Sequence, residues 1–131
     1  GSGSDVFDYA ATSDGGAVSS NQTASAAGVT GDRIQDFVSG TDEFNFLQSA
    51  FGNLSTGALT NGASFSSINN PYDGTNPGTN SNFNAGNSTF IFDSTDTLYY
   101  DPNGSSAGYT VVATMTGTNI TAADVEIVSS L

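Results

Sequence analysis

The chain has 131 residues, of which 13 are acidic and one, Arg33, is basic, so its formal net charge is −12. This charge opposes binding to nucleic acid phosphates and to anionic membranes, and no apolar run is long enough to cross a bilayer. Cysteine and histidine do not occur, which excludes disulfides, thiolate zinc sites and the commonest general bases. The composition favours cations as partners and predicts neither nucleic acid binding nor membrane insertion.

A glycine-rich segment leads into the first predicted strand. Residues Gly1 to Phe7 have the pattern G-x-G-x-D-x followed by an apolar residue. The glycines permit turns with positive φ, and the carboxylate of Asp5 is an oxygen ligand of the kind that calcium prefers. We predict a strand at Val6 to Tyr9, followed by a long surface segment from Ser13 to Gly31.

An acidic segment with one central glycine follows, from residue 32 to residue 47. Three of its aspartates carry short oxygen donors, and the glycine permits a bend at which backbone carbonyls contribute as well. Calcium in proteins takes about six to eight oxygen ligands, which such a combination can supply. The segment therefore predicts a calcium site formed by Asp32, Asp36, Gly40 and Asp42.

Alternation of apolar and polar residues predicts that the ordered structure is mainly β. The further predicted strands are Arg33 to Val38, Glu43 to Phe46, Phe90 to Phe92, Leu98 to Tyr100, Tyr109 to Thr116 and Val125 to Val128. Residues 89–116 should form a three-stranded meander with turns at 93–96 and 101–104. In its last strand we expect Val111, Ala113 and Met115 to share one face.

Helix is predicted only as single turns. One is expected at Asn45 to Phe51, and a second at Thr121 to Asp124, with Thr121 as N-cap and Asp124 near the first amides. The segment from Asn69 to Asn87 is rich in Asn, Gly, Ser and Thr and contains two prolines, which predicts a long surface loop.

The second turn of the meander contains further candidate metal ligands. Asp101 and Asn103 have the alternating spacing of the first ligands in a calcium-binding loop. Such a loop also needs a glutamate later in the sequence, and none follows at the required distance. A hairpin turn is the competing interpretation of this pair.

In their order along the chain, these motifs resemble the C-terminal region of RTX proteins, the calcium-binding β-roll proteins that bacteria export by type I secretion. Residues 32–47 are similar to D-x-I-x-D-F-x-x-G-x-D-x-I-D-L, the family's exit from the roll, and residues 90–104 are similar to F-x-Y-D…L-Y-Y-D-x-D-G. Residues 120–125 resemble L-T-A-A-D-F, and residues 1–9 contain about half of one calcium-binding repeat. Phe44 replaces the usual isoleucine and Asn45 the last aspartate, so calcium should bind more weakly at that position.

The resemblance and the periodicity together predict one all-β, calcium-binding domain over residues 1–131. Its architecture is expected to be a β-roll remnant or cap, or a sandwich-like arrangement of antiparallel sheets, with one or two short helical turns and long loops rich in Asn, Gly and Ser. The predicted segments are a partial repeat at 1–9, a roll exit at 32–47, a meander at 89–116 and a tail at 120–131 that resembles a secretion signal.

The tail has an acidic residue followed by apolar residues, as in the export signal of the family. The candidate signal residues are Val125, Glu126, Ile127, Val128 and Leu131. No N-terminal secretory signal pattern is present, so we expect recognition by the type I secretion machinery and a location outside the cell or at the bacterial cell surface.

Catalysis is not expected. Asp42 and Glu43 are the kind of carboxyl pair that a glycosidase uses, but neighbouring strand residues point to opposite faces and no tryptophan offers a sugar platform. The predicted function is a noncatalytic cap that folds on Ca²⁺ after export, because a metal that binds only the native state stabilises it. One alternative is a subunit of an extracellular filament or surface layer, in which identical subunits pair through exposed strand edges. A third interpretation is an adhesin tip that binds sugar through calcium.

Overall fold

The computed structural model describes residues 2–75, 88–104 and 106–131, and these form two mixed β-sheets with very little helix. The strands are β1 Val6–Tyr9, β2 Gly16–Val18, β3 Asp32–Ile34, β4 Glu43–Leu47, β5 Gly57–Ala58, β6 Phe65–Ser67, β7 Thr89–Phe92, β8 Thr97–Asp101, β9 Tyr109–Met115 and β10 Val125–Val128. One short helix, α1 at Ala24–Ala27, and two 3₁₀ turns at Thr12–Asp14 and Ala122–Asp124 complete the regular structure of this part of the chain. The all-β prediction is confirmed.

The first sheet has the order β1-β4-β10-β5, and its first three strands are parallel. Phe7 of β1 lies opposite Phe44 of β4, which lies opposite Val125 of β10. Strand β5 pairs antiparallel with β10. Parallel neighbours cannot be joined by a tight turn, so these three strands come from distant parts of the chain. Of the two expected architectures, the sandwich-like arrangement of antiparallel sheets does not describe these three parallel strands, although β5 is antiparallel.

The second sheet contains the predicted meander. Its order is β2-β9-β8-β7-β6, in which β7, β8 and β9 are antiparallel neighbours and β6 pairs parallel with β7. Strand β2 pairs antiparallel with the first half of β9, and β3 pairs parallel with its second half. The two predicted turns of the meander lie between these strands, at 93–96 and 101–104.

A register shift between β8 and β9 divides the long strand into two halves. Leu98 pairs with Ala113, but Tyr99 pairs with Val111, so Val112 is an extra residue on β9. Such a bulge reverses the alternation of faces. Ala113 and Met115 therefore lie in one core and Val111 in another, and the prediction that all three share a face is wrong for Val111.

Two hydrophobic cores lie on opposite faces of the second sheet. The larger core fills the space between the two sheets, where Phe46 of the first sheet contacts Phe90 of the second with ring centroids 4.4 Å apart. The smaller core is covered by β2, α1 and the chain after β6, and it contains Tyr72, Tyr99 and Tyr109. We call this second core the tyrosine layer.

Several local predictions need correction. The strand predicted at Arg33 to Val38 is the shorter β3, because the chain bends after Ile34. The turn of helix predicted at Asn45 to Phe51 begins within β4 and continues as a non-helical turn. The surface segment predicted at 13–31 contains β2 and α1, while the turn at 121–124 is confirmed. Gly1 of the partial repeat and residues 76–87 of the predicted loop lie outside the described residues.

Candidate functional site

The predicted ligand Asp42 ends a tight turn at one end of the first sheet. Its Oδ2 accepts a hydrogen bond from the amide of Val38 at 2.7 Å, and its Oδ1 accepts one from the amide of Asp5 at 2.9 Å. The turn closes through the amides of Thr41 and Asp42, which both donate to the carbonyl of Val38 at 2.9 Å. Asp42 is almost completely buried, and it holds the segment before β1 against the start of β4.

Gly40 lies at the tip of the same turn and contacts a second buried carboxylate, that of Asp124. Gly40 has φ 78°, which favours glycine, and its amide donates to Oδ1 of Asp124 at 2.7 Å. Oδ2 of Asp124 accepts hydrogen bonds from Ser39 Oγ at 2.7 Å and from the amide and hydroxyl of Thr121 at 2.7 and 2.9 Å. We call residues 38–42 together with Asp5, Thr121 and Asp124 the junction.

The hydrogen bonds to Asp124 favour its charged form. Burial by itself would raise the pKa of this carboxyl, but the donors on Ser39, Thr121 and Gly40 together outweigh it and hold the pKa below its ordinary value. The sequence predicted Thr121 as the N-cap and Asp124 near the first amides of this turn, and Oδ2 of Asp124 accepts a hydrogen bond from the amide of Thr121. Nothing local in the sequence indicated the contact with Gly40, because 84 positions separate the two residues.

Asp32 and Asp36 are exposed and are not part of the junction. Asp32 is on β3 of the second sheet, and its Oδ2 accepts a hydrogen bond from the hydroxyl of Tyr9 at 2.8 Å. Burial, followed by this hydrogen bond, raises the pKa of Tyr9 above its ordinary value. Asp36 lies in the bend between β3 and β4.

Asp101 and Asn103 lie apart from the other candidate ligands, at the β8–β9 turn of the second sheet. Asp101 is completely buried, its Oδ1 accepts from the amide of Asn103 at 2.9 Å, and its Oδ2 accepts from the hydroxyl of Tyr72. Burial raises the pKa of Asp101, against the opposing effect of these hydrogen bonds. The carboxylate thus anchors its own turn and the tyrosine layer.

A polar network within the tyrosine layer has no counterpart in the sequence predictions. Asp93 accepts hydrogen bonds at 2.8 Å from the amide of Tyr72 and from the hydroxyl of Tyr99. Tyr72 is therefore bound at its backbone by Asp93 and at its hydroxyl by Asp101. Burial raises the pKa of Tyr99, and it raises that of Tyr109 to about 12. The hydrogen bonds to Asp93 and Asp101 thus hold the chain around Tyr72 against the meander.

The outward face of the first sheet carries acidic side chains from three neighbouring strands. Asp8 of β1 lies opposite Asn45 of β4, which lies opposite Glu126 of β10. Glu43 precedes Asn45 on the same face of β4, because the intervening Phe44 points into the core. We call Asp8, Glu43, Asn45 and Glu126 the acidic face.

The candidate ligands thus fall into three places. Asp5, Gly40 and Asp42 come together in the junction, Asp32 and Asp36 are exposed on β3 and in the bend that follows it, and Asp101 and Asn103 lie at the β8–β9 turn. Within residues 2–75, 88–104 and 106–131, no group of three or more carboxylates is arranged so that it could hold a metal ion.

The predicted export tail is part of the first sheet. Val125 and Ile127 are completely buried, whereas Glu126 and Val128 are half-buried on the outward face. Leu131 is exposed. The tail therefore contributes the central strand between β4 and β5.

A cleft of about 680 Å³ opens near β5. The described residues that line it, which include Leu54, Ser64 and Ser88, are all neutral. None of the helices described above is long and apolar enough to span a membrane. Comparison of the chain with protein-family models, with curated proteins and with solved structures finds no match.

Proposed function

We propose that this chain is the noncatalytic C-terminal cap of an extracellular RTX-like protein, and that it folds on Ca²⁺ after type I export. The observation that carries the proposal is the open edge of the parallel sheet. Strands β1, β4 and β10 are parallel and in register, and the outer edge of β1 pairs with no other strand in the described part of the chain. Coils of a calcium-binding β-roll also stack as parallel strands, so β1 offers the edge that a preceding coil requires.

The surroundings of this edge support docking of a further strand. Val6 of β1 and Val38 of the junction are 54% and 53% exposed, and they are two of the three large apolar residues that are most exposed in the described structure. They belong to one region, because the carboxylate of Asp42 binds the amides of both Asp5 and Val38. A docked coil would cover these apolar side chains and satisfy the backbone groups of β1.

The oxygen ligands near the open edge and the negative charge of the chain both favour Ca²⁺ as the partner. Asp5, Asp32, Asp36 and Asp42 supply the carboxylates near the open edge, and the carbonyl of Gly40 is a neutral oxygen ligand. At low calcium, the net charge of −12 opposes compaction and keeps the chain extended for export. Outside the cell, a cation that binds only the folded form shifts the equilibrium toward it.

The experiment is calorimetric titration of Ca²⁺ into chelator-stripped protein, with circular dichroism at both end points. We expect saturable binding and a gain of β signal. Asp36→Asn should weaken binding, because its carboxylate is exposed beside the junction. Asp96→Asn is the matched control: it makes the same change of charge in the β7–β8 turn, where asparagine tolerates the φ of 57°. A chain that is already folded and binds no calcium contradicts the proposal.

The export assignment is tested separately. A chain that lacks residues 125–131 should remain inside cells that contain a type I exporter, whereas the intact chain should leave them. Normal export of the shortened chain would contradict the assignment of Val125, Glu126, Ile127, Val128 and Leu131 as the signal.

The same open edge favours one alternative of a different class, a subunit that assembles with identical copies. In that case β1 of one copy would pair with an edge of the next, such as β6, whose neighbouring strand in the described sheet is β7 and whose Phe65 also bridges to Asn61. Electron microscopy with and without calcium separates the two functions. Polymers of the purified chain favour assembly, and monomers at every calcium concentration favour the cap.

A further inference from the structure

The side chain of Asn103 closes the turn between β8 and β9. Its amide group lies against two oxygen atoms, Oδ1 of Asp101 at 3.1 Å and the carbonyl of Ser106 at 3.0 Å. Both oxygens are acceptors, so the end of the amide that faces them is the NH₂ group, which donates to each. The backbone amide of Asn103 also donates to Oδ1 of Asp101, at 2.9 Å. Asn103 therefore satisfies this carboxylate oxygen twice.

The two oxygens that the amide bridges are of the kinds that calcium takes as ligands, a carboxylate and a backbone carbonyl. A calcium loop was one of the two interpretations of Asp101 and Asn103 in the sequence. In the structure, the nitrogen of Asn103 points its protons at both oxygens. A cation that used the same oxygens would have to displace this nitrogen and turn the amide oxygen inward. The arrangement of donors and acceptors therefore does not fit a bound cation.

The other oxygen of Asp101 also receives its donor from the protein. Asp101 is completely buried, and its Oδ2 accepts from the hydroxyl of Tyr72. Asp93, which accepts from the backbone amide of Tyr72, accepts also from the amide and hydroxyl of Thr95 at 2.8 and 2.6 Å. A buried carboxylate is stable when hydrogen-bond donors surround it. Both aspartates that hold the tyrosine layer have such donors within the chain.

We infer that the side-chain amide of Asn103 takes the place of a cation in the β8–β9 turn. The turn, and the tyrosine layer that Asp101 anchors, close without calcium, and a carboxylate at position 103 would turn this place into a calcium site. The inference does not rest on the function proposed above, because the carboxylates named there, Asp5, Asp32, Asp36 and Asp42, are different residues.

The second part follows from the chemistry of the exchange Asn103→Asp. It replaces two N–H donors by an acceptor, which then faces Oδ1 of Asp101 and the carbonyl of Ser106. Acceptors that face one another without a donor are unfavourable, and two like charges add repulsion. A divalent cation between them removes both costs, since all three groups become its ligands. The turn of this variant should therefore require the cation that the amide replaces.

Calorimetric titration of Ca²⁺ into Asn103→Asp and into the unchanged chain tests the exchange. We expect the variant to bind one calcium ion more per chain. Hydrogen exchange of the amide of residue 103 is the local readout, with the amide of Ile68, which donates to Phe92 in the same sheet, as the reference. At low calcium, the opening constant at residue 103 should rise about tenfold or more relative to this reference, and saturating calcium should reverse the change.

Asn61→Asp is the matched control, since it adds the same charge at an exposed position before β6. It should add no calcium site and should leave the amide of Asn103 unchanged. The inference is refuted if Asn103→Asp binds no additional ion, or if the control gains one as well, which would assign the effect to net charge.

A measurement on the unchanged chain does not depend on how the variant folds. The two side-chain amide protons of Asn103 should exchange with solvent more slowly than those of exposed Asn61, and calcium should not change this order. Calcium bound at the turn would turn the amide oxygen inward and break both hydrogen bonds, so loss of this protection on addition of calcium overturns the inference. If the unchanged chain binds no calcium at all, the cap proposal fails, while the additional site of Asn103→Asp is still expected.

Discussion

The junction and the tyrosine layer both bury aspartates, but the pKa of the buried carboxyl group shifts in opposite directions in the two regions. In the junction, four hydrogen bonds converge on Asp124, and its pKa lies below the ordinary value. In the tyrosine layer, Asp101 is completely buried under the hydroxyl of Tyr72, and burial raises its pKa. The number of donors relative to the depth of burial therefore decides whether a buried carboxyl group favours its charged form.

The junction and the tyrosine layer also have different structural roles. The junction joins chain segments 84 positions apart at an edge that is open to a partner, and its donors are amides and hydroxyls of exposed turns. The tyrosine layer is a closed unit in which three aromatic rings contact one another, with centroids 5.3 to 5.5 Å apart. In the proposed function calcium acts on the first region, whereas the second is stabilised by packing and internal hydrogen bonds.

Among the substitutions that test this difference between the two regions, Tyr72→Ala should have the largest effect on stability. It removes a completely buried ring and the donor to Asp101, so we expect a loss of about 3–5 kcal/mol in the free energy of unfolding, the usual cost of a large aromatic deletion. Tyr72→Phe keeps the ring and removes the hydroxyl, which should cost about 1–3 kcal/mol because the buried carboxylate loses its donor. Urea unfolding in chelator measures both, and equal losses would show that the hydroxyl, not the ring, dominates.

A smaller effect is expected from Asp124→Ala in the junction. The substitution leaves the amides of Gly40 and Thr121 without their acceptor, at a cost of about 1–3 kcal/mol. Asp124→Asn keeps one acceptor oxygen and should lose less. The measurement is again urea unfolding, with exchange of the Gly40 amide as a local reporter. Unchanged protection of that amide in Asp124→Ala would show that the hydrogen bond does not hold the junction together.

The smallest effect is the response of the two regions to acid. The pKa of Asp124 is lowered by folding, so its contribution to stability is present above the unfolded pKa and is lost as the pH falls through the folded pKa. The pKa of Asp101 is raised, so its contribution is present in acid and is lost as the pH rises through the folded pKa. Exchange of the Gly40 amide should therefore accelerate in acid relative to that of the Asn103 amide. Asp124→Asn should abolish the difference, and its persistence in that variant would contradict the assignment.

Local patterns in the sequence predicted much of the fold. Strand β1 and strand β10 have the predicted bounds, and the meander and the capped turn at 121–124 are present, because alternation, turn residues and capping act over a few neighbouring positions. The bulge at Val112 was missed, since one extra residue on one strand depends on its pairing with the other. The parallel pairing of β1, β4 and β10 was missed for the same reason.

For the candidate site, too, the sequence predicted local features and missed contacts between distant residues. The sequence identified the oxygen-rich turn with Asp42 and Gly40, because residue type and spacing are visible along the chain. It did not identify Asp124 as the partner of Gly40, nor that Asn45 and Glu126 lie opposite each other, since both pairs join residues far apart in the chain. Tyr72 lies in a segment so poor in apolar residues that a surface loop was predicted, yet its ring is completely buried.

The sequence by itself determined that this protein is an acidic, all-β chain without disulfides, with strands where apolar residues alternate and turns where glycine and aspartate gather. Only the tertiary structure decided which strands are neighbours, which edge is unpaired in the described part of the chain, and in which direction the pKa values of Asp101 and Asp124 shift. The physical reason is that strand propensity and turn geometry are local, whereas register, burial and the pKa of an aspartate depend on atoms supplied by residues far away in the chain.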